Sequence, residues 1–189
     1  YLGTDNGLYI SFDKGNSWQA FGNNLPNVAI HDLVIQPKSK HLIVGTHGRS
    51  LYKIDVAQLQ KMTAKNLEKE IVIFDLSDVK KNRNWGRSWS QWRDAYEPEL
   101  EVPFYVNSDR AITVNIFKDD VKVNSLKFQA TKGFNKVIYD LSFSKKGLKE
   151  FNKINDKDNR KAAQNGIFYL PKEKYIVKIE DAKGNFEVK

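Results

Sequence analysis

Ser11-Phe12-Asp13-Lys14-Gly15-Asn16-Ser17-Trp18 is the stretch on which the reading of the fold turns. Its pattern is Ser-x-Asp-x-Gly-x-x-Trp. In a tight connection between strands, an Asp carboxylate accepts hydrogen bonds from turn N–H groups. A Gly takes a positive φ without penalty, and a Trp packs over the turn. The flanking residues suit that setting: Gly7 to Ser11 and Trp18 to Phe21 both read as strands.

Outward from this turn the sequence repeats itself. Gly3-Thr4-Asp5-Asn6-Gly7-Leu8-Tyr9-Ile10-Ser11-Phe12-Asp13 matches Gly45-Thr46-His47-Gly48-Arg49-Ser50-Leu51-Tyr52-Lys53-Ile54-Asp55. Both copies carry Gly-Thr, then Leu-Tyr, then Asp, at an offset of 42 to 43 residues with one residue of slippage. A period of about 40–45 residues with several short strands per unit marks propeller blades. Tyr1 to Thr4, Ile30 to Gln36, His41 to Thr46 and Ser50 to Ile54 complete six expected strands, three for each of two blades. Two incomplete blades cannot close a ring. Their exposed sheet faces would need cover from the rest of this chain or from a second copy.

Beyond residue 56 the character changes. Val56-Ala57-Gln58-Leu59-Gln60-Lys61-Met62 and its continuation lack Gly and Pro and predict a short helix or turn. Ile71-Val72-Ile73-Phe74, the longest apolar run, reads as a strand or a docking segment. Residues 57–100 are therefore expected to be a linker with a helix and a Trp-rich segment. From residue 101 strands return: Val102 to Asn107, Ala111 to Lys118, Ser125 to Ala130, Asn135 to Ser142, Tyr175 to Asp181 and Asn185 to Lys189. Alternation at Val114 and Ile116, and at Val137, Tyr139 and Leu141, predicts one buried face per strand. Asp119-Asp120 and Lys183-Gly184-Asn185 are expected hairpin turns, and Leu148 to Ile154 an expected helix. Short strands at this density suggest an immunoglobulin-like sandwich over 101–189. The expected fold is thus mainly β: partial propeller blades over 1–56, a short helical linker, and a β-sandwich.

The motif Ser11, Asp13, Gly15, Trp18 matches the Asp-box, a fold element of sialidase-like and sortilin-like propellers. With the second Gly-Thr-His-Gly-Arg stretch at 45–49, the first segment resembles the final blades of sortilin-like, bacterial-neuraminidase-repeat proteins. Lys174-Tyr175-Ile176-Val177-Lys178-Ile179 resembles the late strand of flagellar-hook-cap-type Ig-like modules, with Glu173-Lys174 where a Gly is usual. The resemblance implies a secreted or envelope bacterial protein of which this chain is the C-terminal part. The position of Tyr1 inside an expected strand, and Met62 as the only methionine, fit that expectation. The resemblance also implies a structural or interaction role. An enzymatic parent stays open: a glycoside hydrolase whose arginine triad, tyrosine nucleophile and acidic pair lie on earlier blades.

Within the chain no catalytic residues, metal site or cofactor are assigned. His31, His41 and His47 lack the close pairing of a zinc motif. His47 and Arg49 flank a strand turn where a propeller ligand could sit. Asp119-Asp120 and Asp156-Lys157-Asp158 offer oxygens for calcium, but without EF-hand spacing they read as surface acids. The sharpest candidate lies at 83–98, where three of the four tryptophans fall. Trp85, Trp89 and Trp92, with Arg87 and Arg93, could stack on sugar rings or bases. The favoured expectation is that they bury against the propeller or sandwich and lock the two domains. Their spacing of 4 and then 3 residues would place all three on one helical face, although Gly86 weakens a helix.

Composition narrows the partners. A net charge of +8 comes mostly from lysines interspersed with acids, which reads as a solvated surface and not as a nucleic-acid face. No apolar run approaches the roughly 18 residues of a membrane helix. With no cysteine, disulfides and thiolate metal sites are excluded. The resemblance implies the rest of the chain's own propeller as a partner; a glycan or protein ligand, and self-association through exposed blade edges, are the further expectations.

Overall fold

Antiparallel pairing dominates the computed structural model, which describes residues 1–21, 25–154 and 160–189. The fold is mainly β, with several small sheets and few helices. It divides into two compact units, Tyr1–Glu68 and Lys69–Lys189.

The first unit holds two three-stranded sheets. One is built from β1 (Leu2–Thr4), β2 (Gly7–Ile10) and β3 (Gln19–Ala20); the other from β4 (Ile30–Gln36), β5 (His41–Thr46) and β6 (Leu51–Asp55). Both run in chain order. The sequence repeat has a structural counterpart. The Thr4 hydroxyl donates to Gly7 O at 3.0 Å, and the Thr46 hydroxyl donates to Ser50 O at 2.6 Å. Each closes the turn into the next strand. The second turn is one residue longer, which is where the slippage between the copies is absorbed. Gly3 is required by packing: a Cβ there would lie 2.6 Å from the Ile30 side chain. After β6 come a 3-10 turn, Leu59–Lys61, and α1 (Ala64–Leu67), which Thr63 caps by accepting from Asn66 N.

Residues 11–18 connect β2 to β3. Asp13 Oδ1 accepts from Ser17 N at 2.9 Å, and Asp13 Oδ2 accepts from the Ser17 hydroxyl at 2.5 Å. The Ser11 hydroxyl donates to Asp13 Oδ1 at 2.9 Å and accepts from Gly15 N at 2.7 Å. Gly15 has φ +92°, and the Trp18 indole lies against it, donating to Gly15 O at 3.1 Å. Hydrogen bonds from the Ser17 hydroxyl, the Ser17 N–H and the Ser11 hydroxyl favour the carboxylate and lower the Asp13 pKa from 3.8 to about 2. A depressed carboxylate pKa stabilises the fold above the unfolded value and ceases to do so as pH falls through the folded one. The stabilisation from Asp13 should therefore be full above about pH 4 and gone below about pH 2. Asp13→Asn should flatten the acid limb of the first unit's melting profile in that window; an unchanged profile would show that the turn does not depend on the charge.

The second unit draws one core from two sheets. The first has the order β10-β9-β12-β13, from β9 (Arg110–Lys118), β10 (Val121–Ala130), β12 (Lys174–Ile179) and β13 (Ala182–Glu187). The second has the order β11-β8-β7, from β7 (Ile71–Ile73), β8 (Leu100–Val106) and β11 (Gly133–Tyr139). Val102 and Phe104 of β8, Val114 and Ile116 of β9, Tyr139 of β11 and Val177 and Ile179 of β12 join a single buried cluster. Each such side chain contributes about 1.5–3 kcal/mol on burial. Residues 79–81 run parallel to the end of β13 and cover its edge, with Val79 N donating to Glu187 O at 2.8 Å and Lys81 N to Lys189 O at 2.7 Å. Ile71–Ile73, expected as a strand or a docking segment, is a strand paired with β8.

Two expectations need correction. The turn between β12 and β13 is not Lys183-Gly184-Asn185. It is Glu180-Asp181, with Glu180 at φ +50°. Gly184 lies within β13, paired with Val177, at a point where a Cβ would meet Ile73 at 2.9 Å and Leu76 at 3.1 Å. The helix also starts earlier than expected. α2 spans Lys145–Ile154 and is capped by Ser144, whose hydroxyl accepts from Gly147 N at 2.9 Å.

Candidate basic and aromatic cleft

The Trp-rich segment is not helical, so its tryptophans do not share a helix face. Gly86 takes φ +72°, which ends any helical run. The chain then closes into a loop. Gly86 N donates to Tyr96 O at 2.7 Å, and Tyr96 N donates to Arg87 O at 2.9 Å. Inside the loop the Ser88 hydroxyl lies 2.5 Å from Ser90 O and 2.6 Å from Arg93 O. A surface loop with pinned ends and internal hydrogen bonds is a fixed platform.

The three tryptophans part company in this setting. Trp85 is 5% exposed and belongs to the core of the second unit, edge-on to Tyr169 with ring centroids 5.8 Å apart. Trp89 is 78% exposed and Trp92 is 85% exposed. The burial expected of a lock is met by Trp85 alone, and its neighbours lie in its own unit.

Trp85 and Trp89 line one wall of a cleft of about 720 Å³. The opposite wall is the segment from Lys161 to Tyr169, which the sequence reading had not singled out. That wall is held from both sides. Asn165 N donates to Gly86 O at 3.0 Å, Phe143 N donates to Phe168 O at 2.8 Å, and Leu170 N donates to Leu141 O at 2.8 Å. Upstream, the Arg160 guanidinium lies 4.3 Å from the Phe151 ring centroid, a cation–π anchor onto α2. The walls meet closely at Gly86, where a Cβ would lie 2.5 Å from both Ala163 Cβ and Asn165 Oδ1.

Among the described residues four cations line the cleft, Lys81, Arg83, Arg87 and Lys161, and no Asp or Glu does. Lys81 is engaged: its ammonium donates to Leu170 O at 3.0 Å and sits 5.8 Å from the Trp85 ring centroid. Arg83, Arg87 and Lys161 form no ion pair among the described residues. Burial raises the pKa of the Tyr169 hydroxyl, with Glu97 and Asp140 adding to the rise, so it stays protonated. Its oxygen accepts from Asn165 Nδ2 at 2.9 Å. The arrangement offers aromatic surface, unpaired positive charge and neutral hydrogen-bonding groups in one concave place.

The other candidates lie elsewhere. Trp92 and Arg93 are on the loop but do not line the cleft. His47 and Arg49 are in the first unit, exposed in the turn between β5 and β6. The His47 ring stacks on His31 at 5.0 Å. Asp119 sits at φ +51° in the β9–β10 turn and pairs with Lys118 at 2.9 Å. Residues 156–158, the other acidic stretch, lie outside the described residues. Among the described residues no three His, Asp or Glu side chains group closely enough to hold a metal ion, and no helix is long and apolar enough to cross a membrane.

No protein-family model matches this chain, and no curated protein matches it.

Proposed function

We propose that this chain is a non-catalytic interaction module at the C-terminus of a secreted or envelope Asp-box propeller protein, sortilin-like or neuraminidase-repeat in type. On this reading the two three-stranded sheets are propeller blades and the second unit is an Ig-like sandwich. The observation that carries it is the β2–β3 connection, where Ser11, Asp13, Gly15 and Trp18 are all engaged in holding the turn. Side chains spent on hydrogen bonds within a turn serve architecture. The matched turn closures at Thr4 and Thr46 support blade repetition as well. In a closed propeller, exposed apolar side chains such as Val34 at 55% and Leu51 at 73% would face further blades of the same protein or a second copy. The chain should release no fluorophore from sialoside or other glycoside substrates above a buffer blank. Turnover by the purified chain would overturn the reading.

A second reading concerns what the module binds. The exposure of Trp89 beside unpaired guanidinium groups favours a glycan contact on the second unit. Flat aromatic faces stack on the apolar faces of sugar rings, and neutral side chains such as Asn82 and Gln164 suit sugar hydroxyls.

A further inference from the structure

We infer that the cleft between Trp89 and the Lys161–Tyr169 wall takes an acidic oligosaccharide, a chain of pyranose rings bearing carboxylate or sulfate groups. The inference rests on the glycan reading and adds the charge class of the sugar. Two independent features of the cleft point to it. One is charge: among the described residues Arg83, Arg87 and Lys161 line it without an ion-pair partner, and no carboxylate lines it. Unpaired guanidinium groups select planar or tetrahedral oxyanions, to which they donate two hydrogen bonds at once. The other is shape and surface. Trp89 is exposed at the rim, Trp85 and Tyr169 form an aromatic base, and the volume of about 720 Å³ suits a few sugar rings.

A general anion-binding surface would need neither the concavity nor the aromatic rim. An acidic peptide would use the cations but not a flat ring at the entrance. A nucleic-acid strand would call for a long positive track, whereas the cations here cluster in one cleft. The walls are pinned by backbone hydrogen bonds, so little ordering is needed when a ligand enters.

Isothermal titration of the whole chain at low ionic strength tests this. The probes are oligogalacturonate, a heparin-derived oligosaccharide, a neutral cello-oligosaccharide, an oligo-glutamate peptide and oligothymidylate. At least one acidic sugar should bind about tenfold more tightly than the neutral sugar and than either non-sugar anion. Which one binds separates carboxylate from sulfate as the recognised group. Arg87→Gln and Trp89→Ala should each weaken that binding by about tenfold. Trp92→Ala, outside the cleft, should leave it unchanged. Arg87, Trp89 and Trp92 are exposed, and unaltered melting of each variant will show that its fold is intact. Equal binding of neutral and acidic sugar, lost with Trp89→Ala, would overturn the acidic class while leaving the glycan reading standing. Absence of all sugar binding would overturn both. Binding of peptide or oligothymidylate as tight as that of acidic sugar, indifferent to Trp89→Ala, would also overturn both.

Discussion

Gly147→Ala should destabilise the second unit by about 2–3 kcal/mol, although in most helices the same change is favourable by about 1 kcal/mol. The reversal of sign comes from one contact. Gly147 is buried in α2, and a Cβ there would lie 1.9 Å from Val123 O and 2.4 Å from Val123 C. Both are backbone atoms, so no rotamer change relieves the clash. Val123 sits at the register shift of β10 between Lys122 and Asn124. Its carbonyl accepts from Ser144 N at 3.0 Å and from the Ser144 hydroxyl at 3.2 Å. The bulge and the helix cap are therefore one device, and α2 cannot retreat without breaking it. Phe151 of α2 is held as well, edge-on to Phe143 at 5.2 Å. Urea unfolding of the whole chain, followed by Trp85 fluorescence in a Trp18→Phe, Trp89→Phe, Trp92→Phe background, would measure the loss. A stabilised variant would mean that α2 is not seated on β10 as described.

The second large effect separates the tryptophans. Trp85→Ala should cost about 3–5 kcal/mol, the range for emptying a buried aromatic site. Trp89→Ala and Trp92→Ala should each stay within about 0.5 kcal/mol, as exposed substitutions do. Trp85 fills space against Tyr169 and supports Lys81, whereas Trp89 and Trp92 are 78% and 85% exposed. Thermal melts of the three variants decide the matter. Comparable losses from all three would mean that the loop is packed away and presents nothing.

Much of the β architecture was legible because alternation reports one-sided burial directly. Ile112, Val114 and Ile116 alternate in sequence and are all buried in β9. The six strands of the first unit were likewise marked by short apolar runs between Gly, Asn and Pro. The illegible parts depended on distant contacts. Gly184 looked like a turn residue, yet its lack of a side chain serves the approach of Ile73 and Leu76. The tryptophan spacing looked helical, but Gly86 turns the chain at φ +72° and the Ser88 hydroxyl closes the loop after it. Arg87 and Trp89 were named from sequence, while their partners across the cleft were not. Lys161 to Tyr169 carries no local signal, since its role arises from pairing with Gly86 and with residues 141–143, far away in the chain. Nor could sequence divide a core tryptophan from exposed ones, because residue type is the same and only tertiary packing differs.

The Trp-rich segment is a folded platform, rooted by Trp85 and presenting Trp89 and Trp92. Hydroxyl-radical footprinting of the native chain, read by mass spectrometry at each tryptophan, tests it most directly. Trp89 and Trp92 should oxidise readily, and Trp85 should react only once the second unit is unfolded. Equal native reactivity at all three positions, or protection of Trp89 and Trp92, would contradict it.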